Sequence, residues 1–388
     1  MHRLAFFSAL AVLAMWTHPG GAQPRARGGG SAIRHEGDGW VRMFTGTVAP
    51  EARLRVIGHG PVTLHGGGRG NLIYSVKVKV EARRESEARR ALDAASVRIE
   101  RERGQLVLTV PGGAALSTVT LTGPRFEAVT IGTSDGAVDA RGVNGPLNVT
   151  SGAGEIFADR VAGACSLATG GGDVRVGDVQ AGLHCTTGAG RITVNSAGGE
   201  TVLETNGGDI IAGRISASVK AQTGAGRVQI HSAGGAVNAI TGGGEIVVDQ
   251  AAGIVTVRNM AGPVQVGASE GVQCENGSGG IRLGNVTGAM RVSTAMGSIF
   301  ANLLGSRLRD SYLATGNGDI TVIIPSNVGV TIRAANQMGD TIRRIVSDFP
   351  SIQSRRRGTQ VIAEGSVNGG GPLLQINGTG GTIYIRHP

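Results

Sequence analysis

Gly267-Ala-Ser269-Glu-Gly271 has the spacing of the Gly-x-Ser-x-Gly elbow, in which a serine is held as a nucleophile on a sharp turn between a strand and a helix. Here no helical pattern follows, only another glycine-punctuated strand, so the stretch reads as a turn. Glycine phrases such as Thr-Gly-Gly-Gly-Asp-Val at 169 and Thr-Gly-Ala-Gly-Arg-Ile at 187 resemble phosphate loops on paper. They lack Gly-Lys-Ser/Thr, and no helix follows whose N-terminus would hold a phosphate. Calcium-binding rolls also repeat in nines with an acidic residue in each turn. In this chain that position runs Asp173, Arg191, Asp209, Arg227, Glu245, and a row with Arg in every second coil cannot coordinate calcium.

Histidines at 59, 65, 184 and 231 fall on different turns and faces and suggest no metal site, and no cofactor is expected. Asp135, Asp139 and Glu155 are the carboxylates on which a polysaccharide-cleaving enzyme would have to rely. Such enzymes wall a sugar cleft with long loops and aromatics, whereas aromatics make up 3% of this chain. A carbohydrate-active β-helix enzyme is therefore the alternative to a non-enzymatic reading. Cys165, Cys185 and Cys274 all fall on core positions of the pattern described below, which predicts free buried thiols rather than a disulfide.

The elements that carry these residues follow from a repeat. Ser-Gly-Ala-Gly-Glu-Ile at 151 returns in variant form at 169, 187, 205, 223 and 241, and weakly at Asn259, always after 18 residues. A fixed period of this size marks a solenoid. Each period divides into two halves of nine, each Gly-x-apolar-x-apolar followed by turn residues. Alternation places the apolar residues of a half on one side of a short strand. Read down the period they form four columns, beginning at Leu147, Val149, Ile156 and Ala158. Parallel pairing of successive coils stacks like on like about 4.8 Å apart. Glycines at 154, 172, 190, 208, 226, 244 and 262 are expected to supply the positive φ of a tight turn. The left-handed hexapeptide helix also fits 18 residues, but it needs an apolar residue six beyond Val149, where Glu155 stands.

The predicted fold is therefore all-β: a right-handed parallel β-solenoid of 18-residue coils, with a small α+β N-terminal cap. From Glu127 to Ile324 it would hold about eleven coils, a rod of roughly 50 Å. The cap, 40–113, would contain a hairpin turning at Gly58-His59-Gly60-Pro61 and a helix over 81–95. Repeats span 114–324, with a one-residue slip near Gly267 to Asn276 and an insertion from Leu304 to Leu313. Residues 325–388 read as irregular terminal coils and a C-terminal cap, with Arg355-Arg356-Arg357 on a loop.

Residues 1–22 have the short positive start, apolar run and small-residue end of a secretory signal peptide, and 23–39 reads as a flexible arm. Export to the periplasm or cell surface is the resulting expectation. It makes nucleic acid an unsuitable partner despite the formal charge of +9, and directs attention to anionic envelope polymer, a lipid surface or another envelope protein. Outward residues Phe157, Ile211, Val247 and Phe300 form a partly apolar line on one face. With Arg355, Arg356 and Arg357 they make up the candidate interaction surface. A self-assembling structural element is a further alternative, because uncapped solenoid ends can stack.

The order of strand pairs, Glu/Ala/Arg-rich helix, repeated Thr-Gly-x-Gly-(Asp/Glu/Arg)-Ile, Gly318-Asp-Ile-Thr-Val-Ile-Ile-Pro325 and Ser347-Asp-Phe-Pro350 resembles a bacterial family of putative adhesin β-strand-repeat proteins, the DUF4097 type. The resemblance spans roughly Arg53 to Arg386. It implies a β-solenoid exported to or facing the cell envelope, and brings no catalytic residues with it.

Overall fold

The computed structural model describes residues 31–110, 115–303, 307–337 and 345–388. Residues 1–22, expected as a signal peptide, lie outside them. Among the described residues, two sheets of eighteen strands each face one another across a single core. From Ala128–Thr133 to Ile320–Ile323, eleven coils stack in sequence order, each giving one strand to each sheet. Pairing is parallel with the 18-residue register: Leu147 opposes Cys165 in the second sheet, and Ile156 opposes Val174 in the first. All four predicted columns point inward, with Leu147, Val149, Ile156 and Ala158 at most 1% exposed. The slip lies where expected, between Gln250↔Ala268 and Ile254↔Gly271, and the next coil arrives after 17 residues. The insertion lengthens a later coil to 21, so that Val292 opposes Leu313.

The glycines differ from expectation in their reason. Of that column only Gly244 and Gly262 have positive φ (147° and 121°). At Gly208 the constraint is proximity, since a β-carbon there would sit 2.0 Å from the carbonyl oxygen of Gly190 one coil earlier. Backbone crosses backbone at this corner, and a hydrogen atom is all that fits.

Beside the glycines runs a feature the periodicity contains but apolar columns do not reveal. Ser151, Thr169, Thr187, Thr205, Thr223 and Thr241 turn their hydroxyls inward and are buried. Thr223 Oγ1 donates to the carbonyl of Gly208 at 2.8 Å and accepts the amide of Gly226 at 3.1 Å. Thr187 does the same with Gly172 and Gly190. Asn259 and Asn276 take over where the phrase weakens, donating through Nδ2 to Gly244 and Gly262. The ladder satisfies corner groups that the sheets cannot reach, and a buried backbone group left unpaired costs about 1–3 kcal/mol.

Both ends break sequence order. Arg53–Gly58 and Val62–Gly66, expected as a hairpin, do not pair with each other. The first joins the second sheet in parallel beside Ala128–Thr133, and the second joins the first sheet beside Val138–Val143. Gly58 to Pro61 is therefore a solenoid corner. The next coil in the chain, Gln105–Thr109 with Ala115–Gly123, stacks on its outer side, and the chain then returns past the fully buried Phe126 to continue the rod inward. Antiparallel strands Leu72–Val80 and Gly39–Val48 extend the first sheet, and the helix Glu85–Ala94 packs on them with Ala88 and Leu92 in the core. Part of the predicted flexible arm is ordered, because Arg34–Glu36 pairs antiparallel with Gly39–Val48.

The C-terminal end mirrors this arrangement. The last segments of the chain, Leu373–Gly378 and Ile383–Arg386, do not form the outermost layer. They insert between Ser311–Asn317 with Ile320–Ile323 on one side and Val330–Gln337 with Ile345–Ser347 on the other. Leu374, Ile376, Ile383 and Ile385 are buried. Arg355–Arg357, expected on a loop, belongs to the edge strand Gln353–Arg357, antiparallel to Gln360–Val367. Three of the four sheet edges carry charge: Arg34-His-Glu36, Arg98-Ile-Glu-Arg-Glu102 and the arginine strand. The fourth is formed, among the described residues, by Ile345–Ser347. Charged edges disfavour strand addition and hence end-to-end stacking of copies.

Candidate functional site

The outward row expected to alternate in sign does form ion pairs. Arg191 reaches Asp209 at 3.4 Å and Arg227 reaches Glu245 at 3.2 Å, while the Arg191 and Arg227 amides donate to Asp173 and Asp209 at 2.9 Å. These pairs are exposed and contribute about 0–1 kcal/mol each. The carboxylates considered for catalysis are engaged in the same way. Asp139 accepts both Arg141 Nε and an Arg141 terminal nitrogen at 2.7 Å, and Glu155 pairs with Arg175 at 3.0 Å. Asp135 sits at a corner and is exposed.

Phe157, Ile211, Val247 and Phe300 share one outward column of the first sheet, as the register requires, and all four are half-buried. Their neighbours cover them. The guanidinium of Arg141 lies 4.7 Å from the Phe157 ring centre, and that of Arg282 lies 5.2 Å from the ring of Phe300. Cation–π stacking of this kind contributes about 0.5–1 kcal/mol at exposed sites. The line is therefore amphipathic, with aromatic faces roofed by charge.

The arginine strand lies on the other sheet, so the two halves of the predicted surface are not one site. Arg355 is held by Glu364 at 2.9 Å, which also pairs with Arg333 at 3.4 Å. Arg356 and Arg357 carry no such carboxylate among the described residues and are exposed.

Cys165, Cys185 and Cys274 are free and buried, in the columns expected. Burial pushes the Cys165 and Cys274 thiols up to about 12, the nearby Glu275 adding to the effect at Cys274, and raises Cys185 well above its ordinary value. A thiolate is the reacting species, so the native protein should resist alkylation at mild pH and take up three labels when unfolded. An intact mass two hydrogens short would contradict this. The pH linkage has a definite sign. Between the ordinary thiol value of 9.0 and about 12 the unfolded chain releases protons that the native chain keeps, so stability should fall as pH rises through that window.

No group of three or more His, Cys, Asp or Glu able to hold a metal occurs among the described residues. A cleft of about 690 Å³ lies on the second sheet, over the 17-residue and 21-residue steps and the regular step between them. Arg307, Arg309 and Asp310, just before Ser311–Asn317, line it together with Arg291, Tyr312 and Gln375. Both irregularities are visible in the sequence, but neither by itself points to a site.

No family model and no curated protein sequence matches the chain. Solved structures do. A putative adhesin from Parabacteroides merdae is 12% identical, covering 73% of this chain and 95% of its own, at a TM-score of 0.31. A putative adhesin from Parabacteroides distasonis is 16% identical over 71% of this chain and 98% of its own, at 0.30. A putative cell adhesion protein from Clostridium sporogenes is 12% identical over 90% of this chain and all of its own, at 0.19. At these identities and scores the likeness carries no inference about what this chain binds.

Proposed function

We propose that the protein is a non-enzymatic binding scaffold of the cell envelope, exported to the periplasm or cell surface and of the adhesin-like kind that its repeat phrase resembles. The observation that supports this most is the rod itself. Eleven stacked coils present long, regular outward columns, and charged edge strands disfavour polymerisation through the ends. A rigid surface of this kind displays binding groups at fixed spacing without ordering them anew for each contact.

The cationic C-terminal edge suits anionic envelope polymer or lipid. Because Glu364 already holds Arg355, the load falls on Arg356 and Arg357. Each arginine near an anionic surface contributes about 1 kcal/mol, so Arg356→Ala with Arg357→Ala should weaken binding to anionic vesicles about tenfold or more, with Arg355→Ala adding little. Sedimentation with vesicles, purified wall polymer and whole cells at two salt concentrations is the measurement. Failure to bind any of the three would sink the scaffold reading.

A further inference from the structure

We propose that the cleft bounded by Arg291, Arg307, Arg309 and Tyr312 binds a carboxylated polysaccharide, a chain of uronic-acid sugars lying along the rod axis; this rests on the scaffold reading above and supplies its ligand class.

The argument begins with charge. Between Val138 and Val286 the solenoid has eight arginines, and six of them, Arg141, Arg160, Arg175, Arg191, Arg227 and Arg258, are ion-paired. A seventh, Arg282, lies over Phe300, and the eighth, Arg214, is exposed with no ion pair among the described residues. The three arginines of the cleft depart from that habit: Arg291, Arg307 and Arg309 are exposed and have no ion pair among the described residues. Two carboxylates share the rim. Asp310 accepts the Leu373 amide at 2.8 Å and Glu270 is exposed; both keep their charge, and the three arginines outnumber the two carboxylates by one. The cleft thus offers three uncommitted guanidinium groups, which pair with carboxylates in two-pronged fashion.

Spacing distinguishes between acidic ligands. Gln273, Arg291, Tyr312 and Gln375 occupy one outward column on four consecutive coils, each opposite the next in the parallel register. They therefore recur every strand spacing, about 4.8 Å. A pyranose unit in a linear polysaccharide advances by nearly the same length, so successive sugars meet successive side chains. An extended acidic peptide advances about 3.3 Å per residue and falls out of step within two coils. The side chains also suit sugars: two amides for hydroxyls, guanidinium for the carboxylates, and a tyrosine between them whose hydroxyl accepts from Asn377 Nδ2 at 3.3 Å. A second hollow of about 230 Å³ shares Gln273, Arg291 and Tyr312 and continues across the same sheet, which gives the polymer a track longer than one sugar.

The test uses the full chain and a short oligogalacturonate, with neutral dextran and polyglutamate as comparisons, followed by titration calorimetry. The expected result is binding of oligogalacturonate that weakens with salt, none of dextran, and weaker binding of polyglutamate. Arg291→Gln with Arg309→Gln should lower oligogalacturonate affinity tenfold or more while leaving thermal unfolding unchanged, because both side chains are exposed. Arg191→Gln with Arg227→Gln, which removes the same number of charges at ion-paired positions, should change it less than twofold. Equal binding of dextran, equal or tighter binding of polyglutamate, or equal loss in the two double variants would overturn the proposal. Retention of vesicle or cell binding in that event would show that the scaffold reading survives without the cleft.

Discussion

A chain ending at Pro372 is expected to lose the structure of residues 311–337 and 345–372 while the coils from 128 to 303 persist. The missing segments are interior layers, sandwiched between two others in both sheets. Their four buried side chains, Leu374, Ile376, Ile383 and Ile385, each contribute about 1.5–3 kcal/mol, or roughly 6–12 kcal/mol together. That is comparable to the whole stability of a typical domain. The outer layer, Val330–Gln337 with its antiparallel partners, would then face an unfilled gap. Because repeat stability is a sum of neighbour contacts, the loss should not propagate far along the rod. Limited trypsin digestion with mass analysis checks this: cuts should concentrate at Arg333 and Arg355 to Arg357. An unchanged digestion pattern would contradict the inserted-coil arrangement.

The second large effect is expected from adjacent glycines. Gly208→Ala places a methyl 2.0 Å from the Gly190 carbonyl oxygen and 2.5 Å from its carbon, so backbone must move against backbone. Overpacking of this kind costs about 1–3 kcal/mol, and the upper end applies because neither neighbour can rotate away. The same corner supports the hydroxyl ladder, so a shift there also strains the bond from Thr223 to the Gly208 carbonyl. Gly207→Ala meets nothing within 4 Å and should be neutral or stabilising by about 0.4–1 kcal/mol through loss of unfolded-chain freedom. Urea unfolding of the two variants side by side is the measurement. Equal midpoints would mean that the close approach does not govern this column.

The middle of the rod was readable because its information is local and repeated. Any apolar residue in the columns from Leu147 or Ile156 predicts the next, and an 18-residue return leaves little choice of register. The ends were not readable in this way. Leu54 to Val62 spans eight residues where regular halves span nine, and a Gly-His-Gly-Pro corner between two short strands has the composition of a hairpin turn. Nothing in a local pattern tells a strand to pair with Ala128–Thr133 rather than with its own neighbour; that choice belongs to the stack. Thr169 and its kin were in plain view as the first letter of every phrase, yet a hydroxyl between glycines looks like ordinary turn chemistry until its partners are known. The interaction residues fared unevenly. Phe157 and Phe300 share the predicted column, but sequence could not show the arginines covering them or the carboxylate holding Arg355. The cleft needed both departures from the period, and only the folded chain brings them to one place.

The interleaved ends constrain how such a rod can change length over generations. A coil duplicated at either terminus would have to fit between layers already closed by a returning segment, and would displace it. A duplicated 18-residue phrase between Val138 and Ala251, where every coil follows its predecessor in order, lengthens the rod by one strand spacing and leaves both closures intact. Growth by gene duplication is thus confined to the interior, and the near-identical phrases from Ser151 to Thr241 lie in the segment where copying does no harm.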